Sequence, residues 1–190
     1  MEFSETGIWM TDKESDHVTD YTLADGLCGF ITEIQSNLKL SVLPTIDLGS
    51  GLGGYSNHLT KRSITSVSID GNPYLEKTSK CNYIIADLVK DKLEVSSPIV
   101  LCLEVLNHIP KSMTNAALLN LRRCATGYLV MTWATPTQGG LNQLNPLPKD
   151  IFIQNIRDLG YKFHESYTNL LSGSCGMPWL KETITVFESI

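Results

Sequence analysis

The stretch Ile46-Asp47-Leu48-Gly49-Ser50-Gly51-Leu52-Gly53-Gly54 decides how this chain folds. Thr45 to Leu48 reads as a short strand, and the glycines that follow turn it into a helix beginning after Gly54. A strand that passes through glycines into a helix N-terminus brings bare backbone N–H groups up to a ligand. Gly49, Gly51 and Gly53 carry no side chains that would hold the ligand away, and a plain turn needs only one or two such glycines. The spacing Gly49-x-Gly51-x-x-Gly54 also satisfies the dinucleotide fingerprint, so the loop alone leaves two cofactor classes open.

The acids around the loop separate them. Asp47 stands two residues before the first glycine, where its carboxylate repels a pyrophosphate and attracts an ammonium group. S-adenosylmethionine carries an ammonium and a sulfonium; a nicotinamide dinucleotide carries neither at that end, which makes an NAD-dependent oxidoreductase the weaker reading. Ser66 to Asp70 ends a second strand in another carboxylate, placed to accept hydrogen bonds from both hydroxyls of a ribose. The plain alternative is a turn aspartate before Gly71-Asn72. Asp87, in Ile84-Ile85-Ala86-Asp87-Leu88, closes a third strand and is placed to face an adenine edge. Ligands of open α/β sheets bind outside the carboxyl ends of the strands, so three strand-ending acids point to one site.

Outward from this region, β-branched runs alternate with helical stretches. Further strands are expected at Ile99 to Glu104, Tyr128 to Thr132, Lys162 to Tyr167 and Thr183 to Phe187, with the third strand spanning Tyr83 to Ala86. Helices are expected over Thr22 to Ser36, after Gly54, from Pro73, over Ser112 to Arg123 and over Lys149 to Leu159. The expectation is an α/β fold: a seven-stranded, mostly parallel sheet with helices on both faces, forming one domain over residues 1–190, with residues 1–21 as an N-terminal lid or arm. The irregular stretch Ala134 to Pro148 reads as a substrate loop or as a surface excursion.

Composition narrows the partners. The chain has 190 residues, 42% of them hydrophobic, which is material for one core. A net charge of -5 argues against a nucleic-acid groove. The five cysteines, Cys28, Cys81, Cys102, Cys124 and Cys175, are odd in number and lack Cys-x-x-Cys spacing, which suits free thiols in a reducing compartment. With no basic leader and no long apolar run, a cytoplasmic protein without a membrane span is expected.

Taken in order, these pieces resemble the class I methyltransferases, over about Thr45 to Thr132. The resemblance rests on Asp47-Leu48-Gly49-Ser50-Gly51-Leu52-Gly53, Ile69-Asp70-Gly71-Asn72, Ala86-Asp87-Leu88 and Leu101 to Pro110. It implies that Asp47, Gly49, Ser50 and Gly51 hold the methionine part of S-adenosylmethionine, that Asp70, Gly71 and Asn72 hold the ribose, and that Asp87 and Leu88 border the adenine. It also implies that Leu103 and Glu104 pass beneath the methionine and sulfonium. More narrowly, Glu104-Val105-x-x-His108-Ile109-Pro110 is similar to the post-strand motif of stand-alone small-molecule methyltransferases. Some relatives carry Glu-x-x-Glu-His here and hold a metal ion. Asn107 stands in place of the second glutamate, and a hard cation depends on anionic oxygen, so no metal is expected.

The implied reaction is in-line methyl transfer to an O, N or S atom of a small molecule, in which the protein contributes mainly orientation. A base is needed only where the acceptor must lose a proton. His108, four residues beyond Glu104, is the candidate base; its alternative is to bond a loop carbonyl and order the turn before Pro110. Glu104 either orients the acceptor or offsets sulfonium charge, or it satisfies backbone donors at a strand end. Trp9, His17 and Tyr21 in the arm, and Trp133 and Gln138 after the fifth strand, are the candidate substrate contacts. Trp9 could equally anchor the arm. His58, on a helix, and His164, in a late strand, carry no functional claim. A non-catalytic sensor, or a lyase that uses the same cofactor without methylating, fits the same residues.

Overall fold

The computed structural model describes residues 2–39 and 43–190. Its seven-stranded sheet comprises β3 (Thr45–Leu48), β4 (Ser66–Asp70), β5 (Asn82–Ile85), β6 (Ser97–Cys102), β7 (Ala125–Met131), β8 (Tyr161–Phe163) and β9 (Thr185–Ser189), after a short antiparallel ladder of β1 (Glu2–Phe3) with β2 (Trp9–Met10). The sheet order is β5-β4-β3-β6-β7-β9-β8. The first five strands run parallel, and β9 is antiparallel to β7 and β8. The chain leaves β3 toward β4 on one side and enters β6 on the other, so their connections diverge and a crevice opens between their carboxyl ends.

Both faces of the sheet are covered because its central strands are apolar on both sides. In β6, Ile99 and Leu101 pack into one core cluster while Val100 and Cys102 pack into the other. The first cluster takes in side chains of α1 (Tyr21–Asn37), α2 (Gly54–Lys61), α6 (Glu165–Ser174) and α7 (Pro178–Thr183), among them Leu27, Leu59, Leu171 and Leu180. The second is closed by α4 (Thr114–Cys124) and α5 (Lys149–Asp158) through Leu121, Phe152 and Ile156. Asp20 caps α1, its Oδ1 accepting Thr22 and Leu23 N–H at 3.1 Å each, while its Oδ2 accepts Gly176 and Met177 N–H at 2.8 Å. One carboxylate thus starts α1 and fixes the turn before α7.

Four expectations shift. The strand expected over Lys162 to Tyr167 ends at Phe163: His164 still donates its N–H to the Val186 carbonyl of β9 at 2.8 Å, but its ring accepts the Tyr167 N–H at 3.3 Å and caps α6. Thr183 belongs to α7, whose first residue is Pro178, and β9 starts at Thr185. Glu104 is not in the fourth parallel strand: β6 stops at Cys102, and Glu104 has φ +55°, which a strand cannot hold. The helix expected from Pro73 is the single turn α3 (Leu75–Thr78). No helix among the described residues is long and apolar enough to cross a membrane.

Candidate active site

The glycine loop hugs the second strand. Gly49 and Ser50 N–H both donate to the Ile69 carbonyl, at 2.7 and 3.2 Å. Gly49 and Gly51 have φ of +76° and +58°, the left-handed region that favours glycine. A Cβ at Gly49 would run into the Val105 side chain, and one at Gly51 would lie 2.5 Å from His17 Nδ1. The loop is therefore bare backbone wedged between the turn after β6 and the N-terminal arm.

Asp70 is oriented by that loop. Its Oδ2 accepts the Gly51 N–H and its Oδ1 the Asn72 N–H, both at 2.7 Å. Asp47 spends Oδ2 on Ser56, accepting the hydroxyl at 2.6 Å and the N–H at 3.2 Å. Burial pushes both carboxyls up to about 6, against the pull of these donors. Asp87 accepts Val89 and Lys90 N–H through Oδ1 and the Thr6 hydroxyl, at 2.8 Å, through Oδ2. Thr6 ties the arm to the third strand-ending acid.

The rest of the arm lies over the same edge. Ile8 packs on Gly71, Thr19 on Gly54 and Gly7 against the His108 carbonyl, each so closely that a Cβ on the glycine would collide. The Trp9 ring meets His108 edge-on at 4.9 Å and lies 5.8 Å from His17.

Beneath the arm is a cavity of about 470 Å³, within the range of small-molecule sites. The structure brings to its wall Asp47, Gly49, Ser50, Gly51, Asp70, Gly71, Asp87, Leu88, Leu103 and Glu104, together with Trp9, His17, His108 and Gln138. Three expected site residues are elsewhere. Asn72 is fully buried, donating Nδ2–H to the Thr11 carbonyl at 2.8 Å and accepting the Tyr74 N–H. Tyr21 is exposed at the start of α1 and rests on His58. Trp133 is fully buried, stacked on Phe152 and donating Nε1–H to the Asn145 carbonyl at 2.6 Å, so its place is in the core.

His108 is committed on both sides of its ring. Nδ1 lies 2.9 Å from the Asn142 carbonyl, which can only accept, so Nδ1 carries the proton and Nε2 accepts from the Asn107 amide at 3.1 Å. Burial holds its pKa below the ordinary value. His17 differs: burial also lowers its pKa, with Asp16 opposing, but its Nε2 is buried with no partner among the described residues.

Glu104 donates its N–H to the Thr132 hydroxyl at 2.7 Å, and its Oε2 accepts the Gln138 amide at 2.7 Å. Burial raises its pKa. Five residues of the wall carry buried polar atoms with no partner among the described residues: Trp9 Nε1, His17 Nε2, Ser50 Oγ, Glu104 Oε1 and Gln138 Oε1. Folded chains rarely leave such atoms unpaired, so their convergence on one wall makes it a candidate site for a polar ligand. Among the described residues no three His, Cys, Asp or Glu side chains converge as a metal site.

Other wall residues escaped the sequence reading: Thr6, Val18, Leu141 and Trp179. For Trp179 the missed signal was Gly176-Met177-Pro178, a turn followed by a proline in the first turn of a helix.

No family model matches the sequence, and no curated protein sequence matches it. Solved structures do match, and they show the class I methyltransferase fold. Magnesium protoporphyrin IX methyltransferase from Synechocystis PCC 6803, solved with bound S-adenosylmethionine, superposes with a TM-score of 0.63 at 18% identity, over 88% of this chain and 78% of that one. The 1,6-didemethyltoxoflavin-N1-methyltransferase of Burkholderia thailandensis, solved with 1,6-didemethyltoxoflavin and S-adenosylhomocysteine, gives a TM-score of 0.59 at 9% identity, over 90% and 79%. The glycopeptide N-methyltransferase MtfA gives 0.59 at 10% identity, over 93% and 98%. At these identities the likeness is one of fold.

Proposed function

We propose that this chain binds S-adenosylmethionine and transfers its methyl group to an O, N or S atom of a small molecule. The observation that carries the reading is the arrangement of Asp70 beside the glycine loop: both its oxygens are held by backbone N–H groups on the wall of a cavity whose own polar atoms lack partners. The fold neighbours solved with that cofactor or its demethylated product support it.

The residues fit the cofactor. Asp70 keeps lone pairs for two ribose hydroxyls, since each carboxylate oxygen has two acceptor sites and only one is used. The unpartnered Ser50 hydroxyl and the bare backbone of Gly49 and Gly51 suit the methionine end, with Asp47 beneath to offset an ammonium. Ile8 and Leu88 supply apolar surface for the base, and Leu103 and Glu104 lie where β6 ends. S-adenosylmethionine supplies a methyl group already activated by its positively charged sulfur. The arm excludes water through Ile8, Trp9 and the bond from Thr6 to Asp87. Where the acceptor must lose a proton, His17 is the better base: its Nε2 is unpaired and its ring stays neutral near pH 7, whereas His108 positions the turn.

Calorimetry with S-adenosylmethionine, S-adenosylhomocysteine and NAD tests the cofactor, and binding of NAD alone would sink the reading. A labelled-methyl transfer screen against metabolite pools then tests turnover; cofactor binding without any transfer would leave a sensor or a lyase in its place.

A further inference from the structure

Apart from the glycine loop and the strand-ending acids, the cavity wall has a second polar locus. Gln138 Nε2 donates to Glu104 Oε2, which leaves Glu104 Oε1 and Gln138 Oε1 buried with no donor among the described residues. Both free atoms are acceptors, so whatever completes them must bring N–H or O–H groups. Glu104 is fixed for this role. Its backbone sits at φ +55°, a conformation that costs free energy in a residue with a side chain, and its N–H is pinned by the Thr132 hydroxyl.

Charge restricts the ligand further. Asp16, Asp47, Asp70, Asp87 and Glu104 line the cavity, while no lysine or arginine is found there among the described residues. An anionic group would meet like charges and gain no ion pair. A protonated or neutral amine meets the opposite situation, and a charge-assisted bond to a carboxylate is the stronger kind. Val18, Leu141 and Trp179 also line the cavity and are exposed, which gives its rim an apolar surface. Leu141 follows Gln138 on the same loop, so the acceptor pair and this rim share one element.

We infer that the methyl acceptor is an amine on an apolar, aromatic-sized frame, its nitrogen donating to Glu104 Oε1 and Gln138 Oε1 and its frame lying against Leu141 and Trp179. This rests on the methyl-transfer reading above. An amine bound as the ammonium first gives one proton to His17 Nε2; its freed lone pair then forms the new N–C bond while the methyl carbon's bond to sulfur breaks and leaves its electron pair on sulfur. The methylated nitrogen keeps its remaining protons and departs as an ammonium.

Three probes with one ring and different polar ends test this by calorimetry on the full chain saturated with S-adenosylhomocysteine: phenethylamine, phenethyl alcohol and hydrocinnamic acid. Phenethylamine is expected to bind about tenfold tighter than the alcohol, the difference a charge-assisted bond makes, and the acid not to bind. Gln138→Leu is expected to weaken phenethylamine by about tenfold without changing the affinity for S-adenosylhomocysteine. Equal affinities, preference for the acid, or no binding of the amine would overturn the inference. So would a Gln138→Leu variant that loses S-adenosylhomocysteine in parallel, because the pair would then serve the cofactor. Failure of S-adenosylhomocysteine to bind overturns the methyl-transfer reading separately, and the three probes are then compared on the free protein.

Discussion

His108 donates its Nδ1–H to the Asn142 carbonyl across 2.9 Å, joining the turn after β6 to the loop after β7. Asn107 closes the other side of the ring, so the imidazole is a strut between two loops of the cavity wall. His108→Ala leaves the Asn142 carbonyl without its donor, at about 1–3 kcal/mol. For a chain of this size each kcal/mol lowers Tm by roughly 2–4 °C. Thermal unfolding checks this. A variant that loses turnover at unchanged Tm would restore His108 as the base.

His17 carries the opposite expectation. With a pKa held below the ordinary 6.5 by burial, its ring is neutral at pH 7 and gains a proton only in more acid solution. Transfer to an acceptor that must shed a proton should therefore fall on an acidic limb lying below pH 6.5. His17→Ala should lower the rate by about 10²–10⁴-fold, the usual contribution of a positioned base. A rate profile unchanged by the substitution would exclude the role.

Asp70 faces two tasks, holding Gly51 and Asn72 in place and offering lone pairs to the cavity. Asp70→Ala removes both. Loss of two bonds to a charged group, at about 1.5–3 kcal/mol each, should weaken S-adenosylhomocysteine by roughly 100-fold or more. Calorimetry reads this directly, and a variant that binds as the parent does would take the ribose out of this site.

The residues whose placement was legible share a physical trait: their positions follow from local backbone. Gly49 and Gly51 fall where φ is positive, and Asp70 is placed by the end of its own strand. The sheet was legible for the same reason, through period-two and apolar runs. The misses were set at long range. Trp133 follows a strand by sequence, where it reads as a substrate contact, but Phe152 of α5 and the Asn145 carbonyl decide that it faces the core. The saturation of His108 depends on Asn142, far along the chain, and α6 depends on a cap made by the His164 ring, an uncommon helix-starting residue.

Burial of Asp47 and Asp70 should give the affinity for S-adenosylmethionine a pH dependence. Both carboxyls rise from the ordinary 3.8 to about 6, so between those values the folded state holds protons that the unfolded chain has released. The contribution of these two acids to the stability of the free protein should then fall as pH rises from 3.8 to about 6, and level off above. A cationic cofactor favours the ionised acids, so its affinity should move the other way, strengthening up to about pH 6 with release of protons on binding. Calorimetry in buffers of different ionisation enthalpy counts those protons. Binding near pH 5 without proton release would show that the two acids are not part of the cofactor's electrostatic environment.

The arm is pinned to the domain at a point that tolerates no side chain. Gly7 has φ +94° and lies so close to the His108 carbonyl that a Cβ would collide with backbone, which cannot swing aside. Gly7→Ala should therefore lift the arm and with it Trp9 and the Thr6 bond to Asp87, while leaving the two core clusters intact. Strain of about 1–3 kcal/mol placed on the closed form should weaken S-adenosylhomocysteine by about tenfold. Limited proteolysis within residues 2–20 should quicken without a matching loss of the main unfolding transition. If Gly7→Ala is cleaved and binds like the parent, the arm does not contribute to the cofactor's enclosure, and the cavity is completed by the β6 and β7 loops alone.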